Sequence, residues 1–334
     1  MATPPKTNST LASLPPSLEQ FMKEEQAQCA TIAAAIPAIL HAIALAGKMI
    51  NKSVSKGSLG GMIGSQGTLN ASGDEQQKLD VIAHNSFVRV LEATAVVCAI
   101  ISEEEEDVVA LASKAGEYIV ALDPLDGSAN VQVNAPIGTI FSIYQRISPP
   151  PGPVQQADVL QPGSRQIAAG YILYSTSTIL VYTTAHGVHG FTYEPVMDAF
   201  FLTHQAIKLP QAGPTYAIND SHQHNFPGYV QRYVQHCRDQ GLAARYTGAL
   251  VADFHRHLLQ GGIYLYPPTQ KNPTGKLRLM FECNALAFIA EQAGGMASNG
   301  AQPILHLVPK TIHQRTPLYM GSIAMVKSLL SLAP

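Results

Sequence analysis

The sequence predicts an α/β fold whose two halves meet near residue 205. Three observations favour this class: short apolar runs that end in acidic residues, amphipathic helical segments between those runs, and an alternation of strand and helix patterns from residue 214 onwards. The 334 residues suffice for one large domain or two close halves. A formal net charge of −2 gives no indication of a nucleic-acid partner.

The N-terminal region predicts a tail, two helices and a loop. Residues 1–16 are rich in Thr, Ser and Pro and have no apolar core, which indicates a disordered tail rather than a signal peptide. Residues 29–47 predict a buried amphipathic helix, not a membrane span. Glycine-rich residues 56–73 predict a mobile loop, and residues 76–91 a second helix. The faces expected to be buried are Ile32, Ile36, Ile39, Leu40 and Ile43 in the first helix and Leu79, Ile82, Phe87 and Leu91 in the second.

Short apolar or alternating runs predict the strands. In the first half, buried strands are expected at 95–101, 118–122 and 138–144. Proline-rich residues 148–153 predict a loop. Residues 166–197 alternate as strands do, with tight turns expected at 185–187 and 189–190. In the second half, strands are expected at 262–266 and 277–281, and a helix at 284–292 that is capped by Asn284 and ended by Gly294.

The octet Asp-Pro-Leu-Asp-Gly-Ser-Ala-Asn at residues 123–130 directly follows a predicted strand and carries the strongest functional signal. It places Asp123 and Asp126 three residues apart, with Pro124 restricting the backbone between them. Gly127 permits a conformation in which the next N–H groups can meet an anion. On its own an Asp-x-x-Asp segment is often only a turn, whereas this combination predicts a metal beside a phosphate.

Further acidic residues are expected at the same edge of the sheet. Glu103 and Glu104 follow the strand at 95–101, and Glu282 lies at a strand-to-helix junction. A run of glutamates is usually a solvated surface, which is the interpretation for residues 105–107. At strand ends, however, such carboxylates converge and repel one another unless a cation lies among them, and Mg²⁺ prefers oxygen ligands. Asp74 and Asp80 flank the start of the second helix, beside the glycine-rich loop.

Other chemistries find little support. The sequence contains no GxSxG, Walker, GxGxxG or HExxH motif. Its four cysteines lack CxxC spacing, which predicts a reduced, cytoplasmic protein. Lys271, Lys276 and Arg278 surround Gly275, and this arrangement fits either an exposed hairpin or a site for phosphate and sugar hydroxyls.

Taken together, these motifs resemble class I fructose-1,6-bisphosphatase, a member of the Mg²⁺-dependent, lithium-sensitive sugar phosphatase superfamily, over residues 17–331. The motifs that carry the resemblance are Gly73-Asp74, Lys78-Leu79-Asp80, Ser102-Glu103-Glu104, residues 123–128, residues 138–141, Gly275-Lys276-Leu277-Arg278-Leu279, Glu282-Cys283-Asn284 and His313-Gln314-Arg315. The resemblance implies a layered α-β-α-β-α fold with mixed sheets. It also implies that residues 17–205 hold the metal and the 1-phosphate, and that residues 206–331 hold the sugar and the 6-phosphate.

The resemblance implies a role for each motif residue. The implied metal ligands are Glu103, Glu104, Asp123, Asp126, Glu282 and the carbonyl of Leu125, for two or more Mg²⁺ ions with Mn²⁺ or Zn²⁺ as substitutes. Asp74, Asp80 and Glu104 are implied to activate water. The implied substrate contacts are Asp126, Gly127, Ser128, Asn219, His222, Tyr246, Leu250, Tyr266, Lys276 and Arg278, together with Arg245 from a neighbouring subunit of a homotetramer. The implied reaction converts fructose 1,6-bisphosphate to fructose 6-phosphate and phosphate, in gluconeogenesis or the Calvin cycle.

The chain departs from the family pattern in several places. His222 replaces a tyrosine, Ala129 a serine and Gln132 an aspartate. Residues 32–37 replace the loop that binds AMP in regulated members, and Glu117 and Gln145 replace two cations there. The expectation is therefore weak or absent inhibition by AMP. Alternatives are a sedoheptulose-1,7-bisphosphatase or dual-specificity enzyme, an inositol-phosphate-type phosphatase, and a non-catalytic scaffold, although a scaffold has no physical reason to keep the carboxylates together.

Overall fold

The protein is a five-layer stack of helices and mixed sheets in a computed structural model that describes residues 14–60, 65–69, 75–113 and 115–333. The helices are α1 Leu18–Gln28, α2 Ile36–Val54, α3 Lys78–Glu92, α4 Gln156–Val159, α5 Gly228–Asp239, α6 Leu250–Gln260, α7 Asn284–Gln292 and α8 Ile323–Leu330. Among the described residues, none of these helices is long and apolar enough to cross a membrane.

Most strands belong to two mixed sheets. Strand β1 Ser65–Leu69 pairs antiparallel with β2 Glu75–Gln77. The eight-stranded sheet has the order β10-β9-β8-β7-β6-β5-β3-β4. Its strands are β3 Val97–Ser102, β4 Val109–Ala110, β5 Tyr118–Asp126, β6 Ile137–Gln145, β7 Gln166–Tyr174, β8 Thr178–Thr183, β9 Val188–Glu194 and β10 Ala199–His204. The five-stranded sheet, β12-β11-β13-β17-β15, contains β11 Thr215–Ala217, β12 Ala243–Ala244, β13 Ile263–Tyr266, β15 Met296–Ser298 and β17 Leu318–Gly321, while β14 Leu277–Arg278 pairs with β16 Arg315–Thr316.

Apolar clusters between the layers hold the described structure together. Side chains of α1, α2 and α3 pack on one face of the eight-stranded sheet. Helices α6 and α7 fill the space between the two sheets. Helices α5 and α8 cover the outer face of the five-stranded sheet. This order confirms the α-β-α-β-α layering, and it places the carboxyl ends of the parallel strands β3 and β5 next to the start of α6.

Several predicted helices and loops differ from the structure. The helix expected at 29–47 begins only at Ile36, where Pro37 suits the first turn, and it continues to Val54. A separate helix, α1, precedes it. Within 56–73, expected to be a loop, the described residues include a 3₁₀ turn at Gly57–Gly60 and strand β1. Ile82 is only half-buried, because α3 turns Ala83 and His84 inwards instead.

A predicted turn, a predicted strand end and the predicted cap of α7 also differ from the structure. His189 and Gly190 lie within β9, so the turn expected there is wrong, whereas the chain does bend at 185–187. The strand expected at 277–281 ends at Arg278 and continues as a π-helical turn, Leu279–Cys283. Asn284 does not cap α7, because it already has helical torsions and its amide donates to the hydroxyl of Tyr144. Arg278 is buried, which excludes an exposed hairpin face for that residue.

Candidate active site

A cavity of about 500 Å³ opens where β3, β5, α6 and the π-helical turn meet. It brings together most of the residues that the sequence singled out. They are Asp80, Glu103, Glu104, Asp123, Leu125, Asp126, Gly127, Ser128, Tyr246, Leu250, Tyr266, Lys276, Arg278 and Glu282. Ala129 and Gln132, the two departures in the octet, line the same cavity. We call it the catalytic cavity.

Three carboxylates form the floor of the catalytic cavity. One oxygen from each of Asp123, Asp126 and Glu282 lies within 4.8 Å of the others, and all three side chains are buried. Each also accepts a backbone N–H: Asp123 from Leu125 at 3.0 Å, Asp126 from Val251 at 2.7 Å and Glu282 from Arg278 at 2.6 Å. These bonds hold the carboxylates in place and leave other oxygens to face the cavity.

The pKa values of these carboxyls reflect their crowding. Burial, followed by the charges of Glu103, Asp126 and Glu282, raises the pKa of Asp123 well above its usual range. Burial likewise raises the pKa of Asp126 to about 7, although backbone N–H groups of Val251 and Leu250 oppose the shift. The pKa of Glu282 is also raised well above its usual range, by burial and then by Glu103. A cation bound among these groups would lower their pKa values again, since it favours the ionised forms of the carboxyls.

The donor set fits a hard divalent cation. Every side-chain donor in the cluster is a carboxylate oxygen, with no thiol or imidazole among the three. Mg²⁺ and Mn²⁺ take such ligands, whereas softer ions prefer sulfur and nitrogen. Glu103 and Glu104 are half-buried at the rim of the same cavity and supply further carboxylates. The residues present therefore suit more than one metal position.

Arg278 is a buried cation beside this cluster. Its guanidinium lies 3.3 Å from Glu103, and only 3% of the residue is exposed. Its Nη1 donates to the carbonyl of Lys276 at 3.0 Å, and its own backbone N–H holds Glu282. Arg278 therefore contacts two carboxylates, Glu103 and Glu282, at the point where β14 ends and the π-helical turn begins.

Gly127 forms part of the cavity wall beside Asp126. It has φ of +76°, and a Cβ added there would lie 2.5 Å from the Cβ of Ala249. This contact brings the octet against the first residues of α6, whose N–H groups point towards Asp126. The positive end of a helix favours an anion at this point. Gly127 and Ser128 thus lie where a phosphoryl group would meet both the backbone and the carboxylate cluster.

Another part of the cavity wall is aromatic and cationic. Tyr264 and Tyr266 stack with ring centroids 6.2 Å apart, and Lys276 lies beside them. Burial and the neighbouring Tyr266 raise the pKa of Tyr246, which forms a hydrogen bond with Asn219. Phenolic hydroxyls with raised pKa values stay protonated at neutral pH, so they can donate hydrogen bonds to an anion.

Four predicted residues are not among those described in the cavity wall. Asn219 lines the adjoining cavity, although it bonds to Tyr246. Arg245 is exposed, and its guanidinium donates to the carbonyl of Ala244 at 2.9 Å. Asp74 lies outside the described residues. His222 belongs to the 3₁₀ turn Asp220–Asn225, and its side chain lies outside the described part of the chain. The roles of these residues, and those of the residues that line the cavity, stay predictions.

Sequence reasoning missed two contributors. Tyr264 lines the cavity, yet nothing in its sequence context distinguishes it from a core tyrosine. His84 lies beneath the rim and contacts Ser102 and Glu105. A signal for His84 did exist, since it lies four residues after Asp80 and hence on the same face of the predicted helix.

Comparisons with known proteins match both halves of the chain. The family model "Fructose-1-6-bisphosphatase, N-terminal domain" matches residues 16–205, and "Fructose-1-6-bisphosphatase, C-terminal domain" matches residues 209–333. The "Fructose-1,6-bisphosphatase class 1" of Amoebophilus asiaticus (strain 5a2) is 59% identical over 327 residues, which cover 98% of this chain and 99% of that protein.

Two solved structures have the same fold. The Leishmania major fructose-1,6-bisphosphatase in holo form aligns with a TM-score of 0.90 and 34% identity, covering 95% of this chain and 98% of that one. Its apo form aligns with a TM-score of 0.85 and 31% identity, covering 95% and 99%. The matches therefore extend across both sheets and the cavity between them.

Proposed function

The chain belongs to the fructose-1,6-bisphosphatase family, and we propose that it hydrolyses the 1-phosphate of fructose 1,6-bisphosphate to give fructose 6-phosphate and phosphate. The observation that carries the proposal is the polarity of the catalytic cavity. Three buried carboxylates cluster in its wall, and Tyr266 and Lys276 lie where it adjoins a second cavity that no described carboxylate lines. A substrate with a phosphate at each end of a sugar matches this arrangement.

The chain's own residues divide the work of hydrolysis. When bound, a divalent cation supplies Lewis-acid neutralisation of charge on the phosphoryl oxygens and the leaving O1. We assign the carboxylate cluster, the rim glutamates and the carbonyl of Leu125 to holding two or more such ions. Asp80 and Glu104 line the cavity where they can accept a proton from the attacking water, and we assign Asp74 to the same task.

The remaining residues orient the substrate. Gly127 and Ser128 would donate backbone N–H groups to the transferred phosphoryl group, next to Asp126 and Arg278. Asn219, Tyr246, Tyr266 and Lys276 would hold the 6-phosphate, with His222 as a further donor. The backbone of Leu250, at the start of α6, would contact the sugar. Arg245 is exposed, which suits the proposed homotetramer in which it reaches the 6-phosphate of a neighbouring subunit.

We also propose that AMP does not inhibit through the N-terminal helices. Ile32 and Ile36 are buried in the core of the first layer, so the segment 32–37 offers apolar side chains in place of a polar loop. Glu25 accepts hydrogen bonds from Tyr182 at 3.0 Å and Thr184 at 3.1 Å. Glu117 and Gln145 occupy the positions of the two cations that AMP-regulated members have, and neither side chain is positively charged. We also propose a cytoplasmic location, which fits four cysteines that form no disulfide in the described residues.

Phosphate release from a substrate panel tests the proposed function. The panel contains fructose 1,6-bisphosphate, inositol phosphates and adenosine bisphosphate, each with and without Mg²⁺. Wild-type protein should release phosphate from the sugar bisphosphate only with Mg²⁺, and Asp126→Asn should abolish release, while Asp239→Asn on the exposed end of α5 should not. Arg245→Ala should raise KM and leave release measurable. Release from inositol phosphates alone would contradict the proposal.

A further inference from the structure

Asn130 is the last residue of the octet, and the proposed function gives it no role. Its side-chain amide donates to two carbonyls, that of Pro136 at 2.9 Å and that of Thr247 at 3.0 Å. Because both partners can only accept, these contacts identify the side of the amide that carries the NH₂ group. The bond to Pro136 stays within the connection between β5 and β6, whereas the bond to Thr247 reaches a segment 117 positions away.

Thr247 lies in residues 245–249, which join β12 to α6. Its backbone N–H donates to both carboxylate oxygens of Asp253, each at 3.1 Å, and its carbonyl accepts from Asn130. Asp253 is fully buried, so its bonds are made away from water. Two side chains therefore satisfy both backbone polar groups of this residue, as helix and strand partners do elsewhere.

Other contacts fix the two ends of the same segment. The N–H of Arg245 donates to the carbonyl of Tyr216 at 2.8 Å, and the N–H of Val251 donates to Asp126 at 2.7 Å. The bonds at Thr247 lie between these anchors, where the chain turns towards α6. They therefore act on the middle of the segment and add to the contacts at its ends.

The two neighbours of Thr247 belong to the catalytic cavity. Tyr246 directly precedes Thr247 and Gly248 directly follows it, and both line the cavity wall. A cavity residue thus lies on each side of the backbone that Asn130 and Asp253 hold. A shift of this backbone would move the phenol of Tyr246 relative to the octet.

We propose that Asn130 is a positioning residue that holds Tyr246 in place for the 6-phosphate of the substrate. The inference rests on the proposed function, which assigns Tyr246 to that phosphate and the octet to the transferred one. The side chain of Asn130 begins in the octet and ends at the backbone beside Tyr246. Loss of this bond should weaken binding of the 6-phosphate more than binding of the metal.

Asn130→Asp tests this role with almost no change in volume. It replaces the NH₂ group by a carboxylate oxygen, which faces two carbonyls and repels both. Asp253→Asn is the second variant, since it removes the charge that the N–H of Thr247 meets but keeps one carbonyl acceptor. Asn134→Asp is the matched control, because it adds the same charge at an exposed position that ends the same turn.

Three readouts separate binding of the sugar phosphate from binding of the metal. The KM for fructose 1,6-bisphosphate and the inhibition constant of fructose 6-phosphate report the 6-phosphate, and the Mg²⁺ concentration for half-maximal activity reports the carboxylates. Asn130→Asp should raise the KM and the inhibition constant about tenfold, with the Mg²⁺ requirement within about twofold, as the loss of one hydrogen bond implies. Asp253→Asn should raise the same two constants about threefold, and Asn134→Asp should change neither by more than about twofold.

The outcomes separate this inference from the proposed function. A Mg²⁺ requirement that rises as much as the KM, or equal changes in Asn134→Asp, would overturn the positioning role. An unchanged inhibition constant of fructose 6-phosphate in Asn130→Asp would overturn it too and leave the proposed function standing. If thermal unfolding shows that Asn130→Asp does not fold, the same readouts on Asp253→Asn decide. Wild-type protein that releases no phosphate from fructose 1,6-bisphosphate with Mg²⁺ would overturn the proposed function, and this inference with it.

A different observation carries a second inference, which concerns Thr139 and the backbone of the octet. Strand β5 has one extra residue between the two aspartates of the octet, because these pair with Ile140 and Gly138 of β6. Thr139 lies opposite this bulge. Its Oγ1 is 2.9 Å from the carbonyl oxygen of Pro124 and 3.1 Å from the hydroxyl of Tyr174.

The partners of Thr139 assign its hydrogen. Because the carbonyl of Pro124 can only accept, Thr139 donates to it, and the hydroxyl of Tyr174 then donates to Thr139. Thr139 is fully buried, and burial raises the pKa of Tyr174, which therefore stays protonated and able to donate. A carbonyl within the bulge thus has a buried side-chain donor.

The bond from Thr139 completes the anchoring of one peptide unit. The carbonyl of Pro124 and the N–H of Leu125 belong to the same planar unit. Thr139 donates to the first, and the second donates to Oδ1 of Asp123 at 3.0 Å. Rotation of this unit would break both bonds and turn the carbonyl of Leu125, a residue that lines the catalytic cavity.

We infer that Thr139 is a positioning residue that keeps the carbonyl of Leu125 available to a metal ion. This inference also rests on the proposed function, which assigns that carbonyl to the metal site. The bond from Asp123 restrains the same peptide unit, so removal of the Thr139 hydroxyl should weaken metal binding without abolishing it.

Titration of the substrate-free protein with Mn²⁺, followed by electron paramagnetic resonance, tests the role of Thr139. Thr139→Val removes the hydroxyl at nearly constant volume and should raise the Kd for Mn²⁺ about tenfold. Thr139→Ser keeps the hydroxyl and should bind Mn²⁺ within about threefold of wild type, and Tyr174→Phe should weaken binding about threefold. Thr183→Val is the matched control, since Thr183 is a fully buried strand residue whose hydroxyl accepts the N–H of Ala185 at 3.1 Å.

The control and the rescue decide the result. Equal Mn²⁺ affinity in wild type and Thr139→Val would overturn the inference, and so would an equal loss in Thr183→Val. Thr139→Ser that binds as weakly as Thr139→Val would also contradict it, because the hydroxyl is the group assigned the role. If Thr139→Val does not fold, the same titration of Tyr174→Phe decides.

Discussion

The substitution Gly127→Ala tests the close approach between the octet and the start of α6. The new methyl group would lie 2.5 Å from the Cβ of Ala249 and 3.0 Å from its Cα, and the residue would keep φ of +76°. The backbone strain alone costs about 1–2 kcal/mol for an L-residue, and overpacking adds about 1–3 kcal/mol. The expected loss in unfolding free energy is therefore about 2–5 kcal/mol. Relief of the clash requires α6 to move, which breaks the 2.7 Å bond from Val251 to Asp126.

Gly241→Ala is the matched control for this prediction. Gly241 has φ of +70°, close to that of Gly127, but a Cβ there meets no atom within 4 Å. The control should lose only the strain of about 1–2 kcal/mol and keep full activity. Urea unfolding measures the free energies, and phosphate release with Mg²⁺ measures activity. Equal stabilities for the two variants, or normal activity in Gly127→Ala, would refute the geometric reasoning.

Three further predictions follow from charges that the fold buries. Burial raises the folded pKa of Asp126 from 3.8 to about 7, so the stability of the metal-free protein should fall as pH rises through that window. Mg²⁺ should bind more tightly at pH 8 than at pH 6, with proton release in calorimetry, and a pH-independent affinity would contradict this. Burial lowers the pKa of His255 and His257 from 6.5 to about 4, so their contribution to stability should be lost as pH falls through that window. His257→Leu should therefore cost less stability at pH 5 than at pH 7 in urea unfolding, and an equal cost would refute the assignment. Arg278→Met should destabilise the metal-free protein by on the order of 3 kcal/mol, because it leaves Glu103 without its guanidinium, and Mg²⁺ should restore part of the loss.

The motif residues could be predicted because strand ends determine their position. Asp123 and Asp126 follow an apolar run, and Glu103 and Glu104 follow its parallel neighbour, so their convergence needs only the rule that parallel strands end at one edge. The five-layer order could not be derived in this way. It came from the resemblance, because an apolar run does not reveal which sheet or helix covers it.

The failures have local physical causes. Residues 279–283 are as apolar as a strand, but the chain bends into a π-helical turn that directs Glu282 into the cavity. Gly190 suggested a turn, whereas it lies in β9 where the side chain of His204 approaches it closely. The link from His84 to Ser102 joins a helix to a strand, and contacts of this kind depend on packing rather than on sequence spacing.

The decisive measurement is which of the two phosphate esters the protein hydrolyses. Phosphorus NMR of the products formed from fructose 1,6-bisphosphate and Mg²⁺ distinguishes the two possible monophosphates. If the 1-phosphate lies at the carboxylate cluster and the 6-phosphate at the tyrosines, the products are fructose 6-phosphate and inorganic phosphate, and Asp126→Asn gives no turnover. Formation of fructose 1-phosphate, or unchanged turnover by Asp126→Asn, would contradict it.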